Sequence, residues 1–498
     1  MTKLLSASLN RFNGSIDRLT DRFTSYRLVL YILFTFVGWA AVAGLFSKQI
    51  PYTSSSIVLS AGWLVLVCWL VNKLLATFFN VPSNKESHMI TALILALIMT
   101  PASDVPGFGV LAGAALAAMA SKYVLTFRKS HLFNPAAFGA FVSGALFHEY
   151  ASWWVGTKLL TPLVFIGAIL ILRKIKRFQM VGLFLAVFLL YLIFGTSAGG
   201  DLHFLWLELI ATQVLFFAVI MLTEPLTSPA TARYYLPYAL LVGLLYSVSR
   251  FKLSPEQALL LGNIFTFIFA ANRRYELKFV RRVKEAEGIY SYVFSLPKGF
   301  RYLAGQYMEW TLSRNKSDSR GNRRYLTVSS APTEQNLMIT VKEPPKPSTF
   351  KQQLASLKPG DKILASRLAG GFTLPSDSTK KLAFMAGGVG ITPYRSMIKA
   401  MIDDKQNRDT ALIYSANSDA EVSFRDLFAK ASDIGLKSHY ITDGQVDGSV
   451  IKKLLPDYRE RTFFVSGPYG YVNAMESNLI KLGVGMDNIV TDYFPGYG

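Results

Sequence analysis

The stretch Arg323-Arg324-Tyr325-Leu326-Thr327-Val328-Ser329-Ser330 decides how the C-terminal half of the chain is read. It lies between two strand-like runs and is itself expected to be extended. Residues two apart in a strand share a face, so Leu326 turns away from Tyr325 and Thr327. An arginine can hold a phosphate through its planar fork. A hydroxyl three residues on, at Thr327, then falls near the ring that such a phosphate carries. The pattern suits a flavin on the surface of a small barrel. It equally suits an ordinary strand at a barrel edge, and these residues alone do not separate the two.

Segments downstream favour the first reading. The run Lys381-Leu382-Ala383-Phe384-Met385-Ala386 reads as a buried strand. It is broken by Gly387-Gly388-Val389-Gly390-Ile391-Thr392-Pro393, and a helical pattern starts near Tyr394. Glycines let a backbone approach a pyrophosphate, and a helix N-terminus favours the anion. A second strand, Phe463-Phe464-Val465, ends in Ser466-Gly467-Pro468, and the last strand-like run holds Thr491-Asp492-Tyr493-Phe494. Each feature alone fits any strand-to-helix connection; their order is the signal.

In that order they resemble the ferredoxin–NADP reductase family, from roughly Tyr275 to Gly498. The resemblance implies FAD as cofactor and NAD(P)H as substrate. It sets Arg324 on the flavin phosphates and Thr327 at the flavin ring, with Tyr325 and Leu326 in the same motif. It sets Ser348 and Thr349 at the pyrophosphate. Gly387, Gly388, Gly390, Thr392 and Pro393 become the nicotinamide-nucleotide turn. Ser466, Gly467 and Pro468 match a Cys-Gly-Pro turn at the nicotinamide edge, and Asp492 and Phe494 the C-terminal acid and aromatic. Thr327, Ser466, Asp492 and Phe494 are the implied catalytic set. Two departures stand out. Leu326 replaces the aromatic that stacks on the flavin, and Ser466 replaces the cysteine, which implies a differently tuned hydride step.

The chain has 498 residues, enough for more than one domain, and 51% of them are hydrophobic. Its mean hydropathy of +0.31 exceeds that of an ordinary soluble protein. The apolar excess lies before residue 272. A net charge of +20 would suggest nucleic acid on a soluble protein, but here the basic residues cluster beside apolar runs and read as membrane topology. The single cysteine, Cys68, excludes a disulfide within the chain and an iron–sulfur cluster built from it alone. No metal site is expected.

Residues 1–26 read as a cytosolic amphipathic segment. Apolar runs follow at 27–46, 56–79, 87–100, 108–126, 134–148, 159–172, 179–195, 204–222, 235–249 and 255–271. Several fall short of the roughly 20 residues of a full span, as in the broken helices of transporters. Arg128, Lys129, Arg173, Lys174, Lys176 and Arg177 fall in loops of one side, and Arg273, Arg274, Arg281 and Arg282 follow the last run. Asp104, Glu149 and Asp201 fall on the other side, with Arg250 and Lys252 as exceptions. This places both termini in the cytosol. Ile98-Met99-Thr100-Pro101 recurs as Ile220-Met221-Leu222-Thr223-Glu224-Pro225, and Asn134-Pro135 as Ser254-Pro255. The two offsets agree at about 120 residues, or about five spans, which implies an inverted repeat with a site near the middle. Chance reuse of proline at helix ends is the alternative, and the matched offsets favour the repeat. Glu208 and Asn263 are polar residues within apolar runs, and Trp153-Trp154 reads as an interfacial anchor.

The segments Leu132-Phe133-Asn134-Pro135-Ala136-Ala137-Phe138-Gly139 and Leu222-Thr223-Glu224-Pro225-Leu226-Thr227-Ser228-Pro229 carry a second resemblance. They are similar to the B subunit of the sodium-translocating NADH:quinone oxidoreductase and the D subunit of the Rnf complex. This covers roughly residues 25–271 and implies FMN or another flavin near Asn134, Thr223, Thr227 and Ser228. Glu224 stands where those proteins carry Asp. Their threonine-linked FMN motif is absent; Thr157 is its only remnant, and a covalent link there is not expected.

The sequence thus predicts a polytopic α-helical membrane domain at 27–271, with about ten spans in an inverted repeat of about five and five. A β-barrel flavin domain follows at 272–380, then an α/β parallel-sheet nucleotide domain at 381–498. The expected activity is NAD(P)H oxidation in the cytosol through FAD. Electrons then pass by a membrane flavin or quinone to an acceptor at or beyond the far side of the cytoplasmic membrane, such as an extracytosolic flavin-carrying protein. The alternatives are an NAD(P)H:quinone reductase, with or without ion pumping, and a transporter with a fused regulatory reductase. Nucleic acid is not an expected partner. Ser415-Ala416-Asn417 offers no arginine to a 2′-phosphate, which leans toward NADH.

Overall fold

The structure is a computed structural model. It describes Thr20 and residues 23–47, 49–79, 85–127, 130–197, 201–210, 213–248, 251–270, 274–312 and 322–494. Most of the expected N-terminal segment, Arg128, Lys129, Arg250 and Arg273 lie outside the described residues, as do the side chains of Tyr493 and Phe494. The chain divides into two compact units, Met1–Arg273 and Arg274–Gly498.

The first unit is helical. Its helices are α1 (Ser25–Phe46), α2 (Ser54–Phe78), α3 (Lys85–Ile98), α4 (Val105–Val124), α5 (Pro135–Phe147), α6 (Thr161–Ile175) and α7 (Phe178–Gly195). They continue with α8 (Leu202–Ile210), α9 (Val214–Met221, ending in a π turn), α10 (Ala232–Ser247) and α11 (Pro255–Ala270). A short hairpin of β1 (Thr126–Phe127) and β2 (Ser130–His131) joins α4 to α5. Polar residues set the helix starts: the side chains of Thr24, Thr53, Asp104 and Asn134 accept from Arg27, Ser56, Gly107 and Ala137 backbone N–H groups. Each apolar run of the sequence falls on a helix or on the α8–α9 pair. Among the described residues, four helices, α1, α2, α4 and α7, are long and apolar enough to cross a membrane, and α8 with α9 makes a fifth candidate bent by 55°. Their outer faces carry large apolar side chains such as Phe46, Phe78 and Phe194, each more than four-fifths exposed. Such a surface belongs in lipid rather than water.

The shorter helices need their ends satisfied, because a bilayer offers no water to a free carbonyl. α3 has 14 residues, about 21 Å, less than the roughly 30 Å of hydrocarbon. Its C-terminal carbonyls are capped from afar. Trp153 N–H donates to Ile98 O at 2.9 Å and Val155 N–H to Leu97 O at 3.2 Å. The Trp154 indole donates to Ala96 O at 2.9 Å and Met99 O at 3.1 Å. The Trp153 indole reaches Glu256 Oε2 at 3.2 Å, in the first turn of α11. Both tryptophans are buried, so this pair is a helix cap rather than a free interfacial anchor.

The second unit contains two sheets. The first is antiparallel, in the order β6-β5-β8-β3-β4-β7, from β3 (Arg274–Ala286), β4 (Ile289–Ser295), β5 (Tyr307–Thr311), β6 (Arg323–Thr327), β7 (Asn336–Lys342) and β8 (Lys362–Ala369). Past the end of β6, Ser329 N–H donates to Met338 O of β7 at 2.7 Å. Trp310, Tyr292 and Phe294 fill its core. The second is parallel, in the order β11-β10-β9-β12-β13, from β9 (Leu382–Gly387), β10 (Thr410–Ser415), β11 (Leu436–Ile441), β12 (Thr462–Pro468) and β13 (Ile489–Phe494). Strand order reverses between β9 and β12, which makes that crevice the place where a doubly wound sheet takes a ligand. Met385, Met397 and Met401 are core residues, as their apolar setting suggests.

Candidate active site

The crevice between β9 and β12 exists because of two glycines. A Cβ on Gly390 would lie 2.2 Å from Ser466 O, a backbone atom, so only glycine lets the turn after β9 close on the end of β12. A Cβ on Gly387 would meet the Tyr471 ring at 2.7 Å. Gly388 differs: its φ is +53°, and nothing stands within 4 Å of its Cβ position. Its backbone is therefore left open for close approach. Thr392 Oγ donates to Val389 O at 3.0 Å, and Pro393 opens helix α13 (Thr392–Asp403); in chain order, α12 is Thr349–Ala355. The Tyr394 hydroxyl donates to Met385 O at 3.1 Å and Phe464 O at 2.7 Å, which ties this helix to both strands beneath the crevice.

Around the crevice the structure gathers Gly387 to Pro393, Ser466 to Pro468 and Asp492. Ser466 is register partner of Ala386 on one side and Asp492 on the other, and Phe494 of Pro468. The Ser466 hydroxyl is buried and makes no protein hydrogen bond. A buried hydroxyl without a partner is costly in a site that holds nothing, and useful in one that holds a polar ligand.

Arg324 and Thr327 lie on β6. Arg324 is buried, its guanidinium donates to Arg323 O at 2.7 Å, and it sits 5.2 Å from the Phe350 ring. Phe350 is in α12, whose cap is Ser348, accepting from Lys351 N at 3.4 Å. Arg324 thus lies over a residue of the helix that Ser348 caps and Thr349 opens. Thr327 Oγ is buried and makes no protein hydrogen bond. Leu326 is half-buried and packs toward the sheet core, as strand alternation requires. Tyr325 takes another role: its hydroxyl donates to Glu309 Oε2 at 2.7 Å and accepts from Arg367 at 2.7 Å. Burial by itself would raise the Glu309 pKa, but Arg323, Arg367 and the Tyr325 hydroxyl outweigh it and hold the carboxylate below its usual range.

Ser329 and Ser330 are hydrogen-bonded within the fold. Ser329 Oγ contacts Met338 O and Thr340 Oγ, and Ser330 Oγ contacts the Tyr302 hydroxyl. Their carbonyls receive Arg395 at 3.1 Å and Ser396 Oγ at 2.5 Å, both from α13, and Arg395 also pairs with Glu334. This clamp sets the antiparallel sheet against the parallel one. Nothing local in the sequence marks it, because its partners are more than 60 residues apart.

In the helical unit Asn134, Asn263, Thr227 and Glu224 form a hydrogen-bonded node. Asn263, fully buried, accepts from Asn134 N–H at 2.8 Å and donates to Thr227 O at 3.2 Å. Thr227 Oγ donates to Glu224 at 2.7 Å, Ser228 Oγ to Glu224 O at 2.7 Å, and Thr223 Oγ to Val219 O at 2.5 Å. Thr157 Oγ is buried without a hydrogen bond, away from any attachment motif. Sequence reasoning missed Lys122, a buried lysine in α4 held by Ser87 O at 3.0 Å, Ser87 Oγ at 3.1 Å and Thr91 Oγ at 2.9 Å. A charge inside an otherwise apolar run was the available signal.

Comparison with known proteins bears on the second unit. Residues 384–476 match the oxidoreductase NAD-binding domain family. Flavohemoprotein A of Dictyostelium discoideum is 28% identical over 43% of this chain and 58% of its own length. The glycine betaine monooxygenase reductase subunit of Chromohalobacter salexigens is 24% identical over 45% of this chain and 65% of its own. The chain therefore spans less than two thirds of these relatives. The flavohem-like FAD/NAD-binding domain of a Vibrio cholerae nitric oxide dioxygenase superposes with a TM-score of 0.39 at 19% identity, over 44% of this chain and 98% of that domain, too weak a likeness to carry weight. Over residues 384–476 the second unit is thus similar to oxidoreductase NAD-binding domains, and over its wider extent to flavohemoproteins and monooxygenase reductase subunits.

Proposed function

We propose that this chain is a membrane NAD(P)H oxidoreductase that moves electrons from cytosolic NAD(P)H toward the far side of the membrane. Residues 272–380 hold FAD, 381–498 take NAD(P)H, and 27–271 form about ten spans of an inverted repeat with both termini cytosolic. Residues of the second unit fit the two nucleotides. Arg324 would face the flavin phosphates and Thr327 Oγ the ring, with Ser348 and Thr349 beside the pyrophosphate. The open backbone at Gly388 would receive the nicotinamide nucleotide, and Ser466 its nicotinamide edge, beside Asp492. Bound FAD supplies the exchange between a hydride and single electrons. The protein's part is to hold the two nucleotides with reacting edges together and water out.

The observation that carries the transmembrane reading is the node of Asn134, Asn263 and Thr227 within the apolar unit. It ties the Asn-Pro element of one half to the Thr-Glu-Pro element of the other, construction that a plain anchor would not need. A hydrocarbon core of roughly 30 Å exceeds one useful tunnelling step, so a second redox group is required within it or at its far edge. A flavin or quinone near Thr223–Ser228, or near Thr100–Asp104, meets that need, consistent with the Nqr- and Rnf-like motifs. The test uses sealed proteoliposomes with NADH outside and an impermeant acceptor in the lumen. Rapid lumenal reduction is expected. Equal NADH oxidation with the acceptor untouched, together with no flavin on the 1–271 segment, overturns the conduit in favour of a quinone reductase or a transporter.

A further inference from the structure

The glycine turn has a neighbour that decides which nucleotide it accepts. Strand β10 ends at Ser415, the register partner of Gly387 in β9. The chain leaving β10, Ala416-Asn417-Ser418-Asp419, therefore starts level with the first glycine of the turn. The span matching the NAD-binding family includes all of it. In a doubly wound sheet this second strand end faces the adenosine ribose, whose 2′ position is where NADH and NADPH differ. A 2′-hydroxyl needs an acceptor. A 2′-phosphate brings about two negative charges and needs surplus cations.

The structure supplies acceptors and no surplus among the described residues of this lip. Asn417 is exposed and neutral, and its amide donates to Glu421 Oε2 at 3.0 Å. The other Glu421 oxygen takes Lys342 Nζ at 2.7 Å. Arg425 pairs with Asp419 and lies over the Tyr440 ring at 4.8 Å. Each of the two cations is thus matched to a carboxylate. The turn Asp419–Glu421 is also pinned, because Glu287 N–H donates to Ala420 O at 2.9 Å. That bond fixes the backbone of the turn that carries the two carboxylates.

We infer that this lip selects NADH over NADPH, with Asn417, Asp419 and Glu421 as the selectivity residues. This rests on the reading of Gly387–Pro393 as the nucleotide turn. The pairs are partly solvent-screened, so the preference is graded, on the order of ten- to a hundredfold in kcat/KM. The test uses the full-length protein in detergent, loaded with FAD, with NADH or NADPH as donor and a dye as acceptor. NADH is expected to be better by about tenfold or more, and Asn417→Arg to lower the NADH:NADPH ratio by about tenfold, by adding the missing cation. Asp419→Asn, which frees Arg425, is expected to move the ratio the same way. Equal or better use of NADPH by the unaltered protein overturns the inference, as does a ratio that neither variant moves. Failure to oxidise either nucleotide, in folded protein that retains FAD, overturns instead the underlying nucleotide-turn reading, and this inference with it.

Discussion

Beside Gly390, the end of β12 leaves a buried serine hydroxyl at Ser466 with no protein partner, and β6 leaves another at Thr327. In the helical unit, Asn134, Asn263, Thr227 and Glu224 bind one another instead. The difference follows from the surroundings. A site that takes a polar ligand can keep hydroxyls open, because the ligand completes them. Within an apolar unit a polar node is stable when it closes on itself. The first kind of site advertises its ligand through what is unsatisfied. The second conceals it, and only the presence of polar residues at depth betrays it.

The sharpest way to break this comparison is to close the open crevice. Gly390→Ala would drive a methyl into Ser466 O, and both neighbours are backbone. NAD(P)H turnover by the full chain is expected to fall about a hundredfold or more, because misplacement by an ångström costs that much. Gly388→Ala, in open space, carries only left-handed strain of about 1–2 kcal/mol and should weaken nucleotide binding by about tenfold. Equal effects of the two in a nucleotide titration would refute the steric account.

Arg324→Ala tests the phosphate end. A charge-assisted contact contributes about 1.5–3 kcal/mol, so FAD affinity should drop by about tenfold or more, read as flavin retained after dialysis. Full retention would reassign this arginine to packing over Phe350.

Asn263→Leu tests the closed node. It orphans the buried Asn134 N–H and the Thr227 carbonyl, at a cost of about 1–3 kcal/mol. Thermal stability of the full chain should fall, and lumenal reduction in proteoliposomes with it, while dye reduction at the cytosolic face persists. Loss of dye reduction as well would show that the two activities are not separable.

The smallest effect is in acid. The folded pKa of Glu309 is depressed, so its stabilising contribution is complete above the ordinary glutamate value of about 4.3 and is lost as pH falls through the lower folded value. Acid unfolding should therefore be steeper in the unaltered protein than in Glu309→Gln. Parallel acid titrations by circular dichroism would count against the ion cluster.

Local chemistry made much of this legible from sequence. Glycines at 387, 388 and 390 mark a turn because 387 and 390 leave no room for a Cβ and 388 takes a left-handed φ, and the apolar runs from 27 to 271 mark helices because of their length and apolar content. Asn263 stood out with Glu208 as a polar residue within an apolar run, and Asn134 through the second resemblance. Contacts between distant residues were not legible. The serines at 329 and 330 resemble ligand hydroxyls in sequence, yet they brace one sheet against the other through Arg395 and Ser396. Trp153 and Trp154 resemble a membrane anchor, yet they cap α3 from more than 50 residues away. Sequence by itself determined where the chain turns, which faces are apolar and which chemistry is carried. Tertiary structure alone decided which polar groups are consumed by the fold and which stay open, because a hydrogen bond depends on meeting in space and composition records no such meeting.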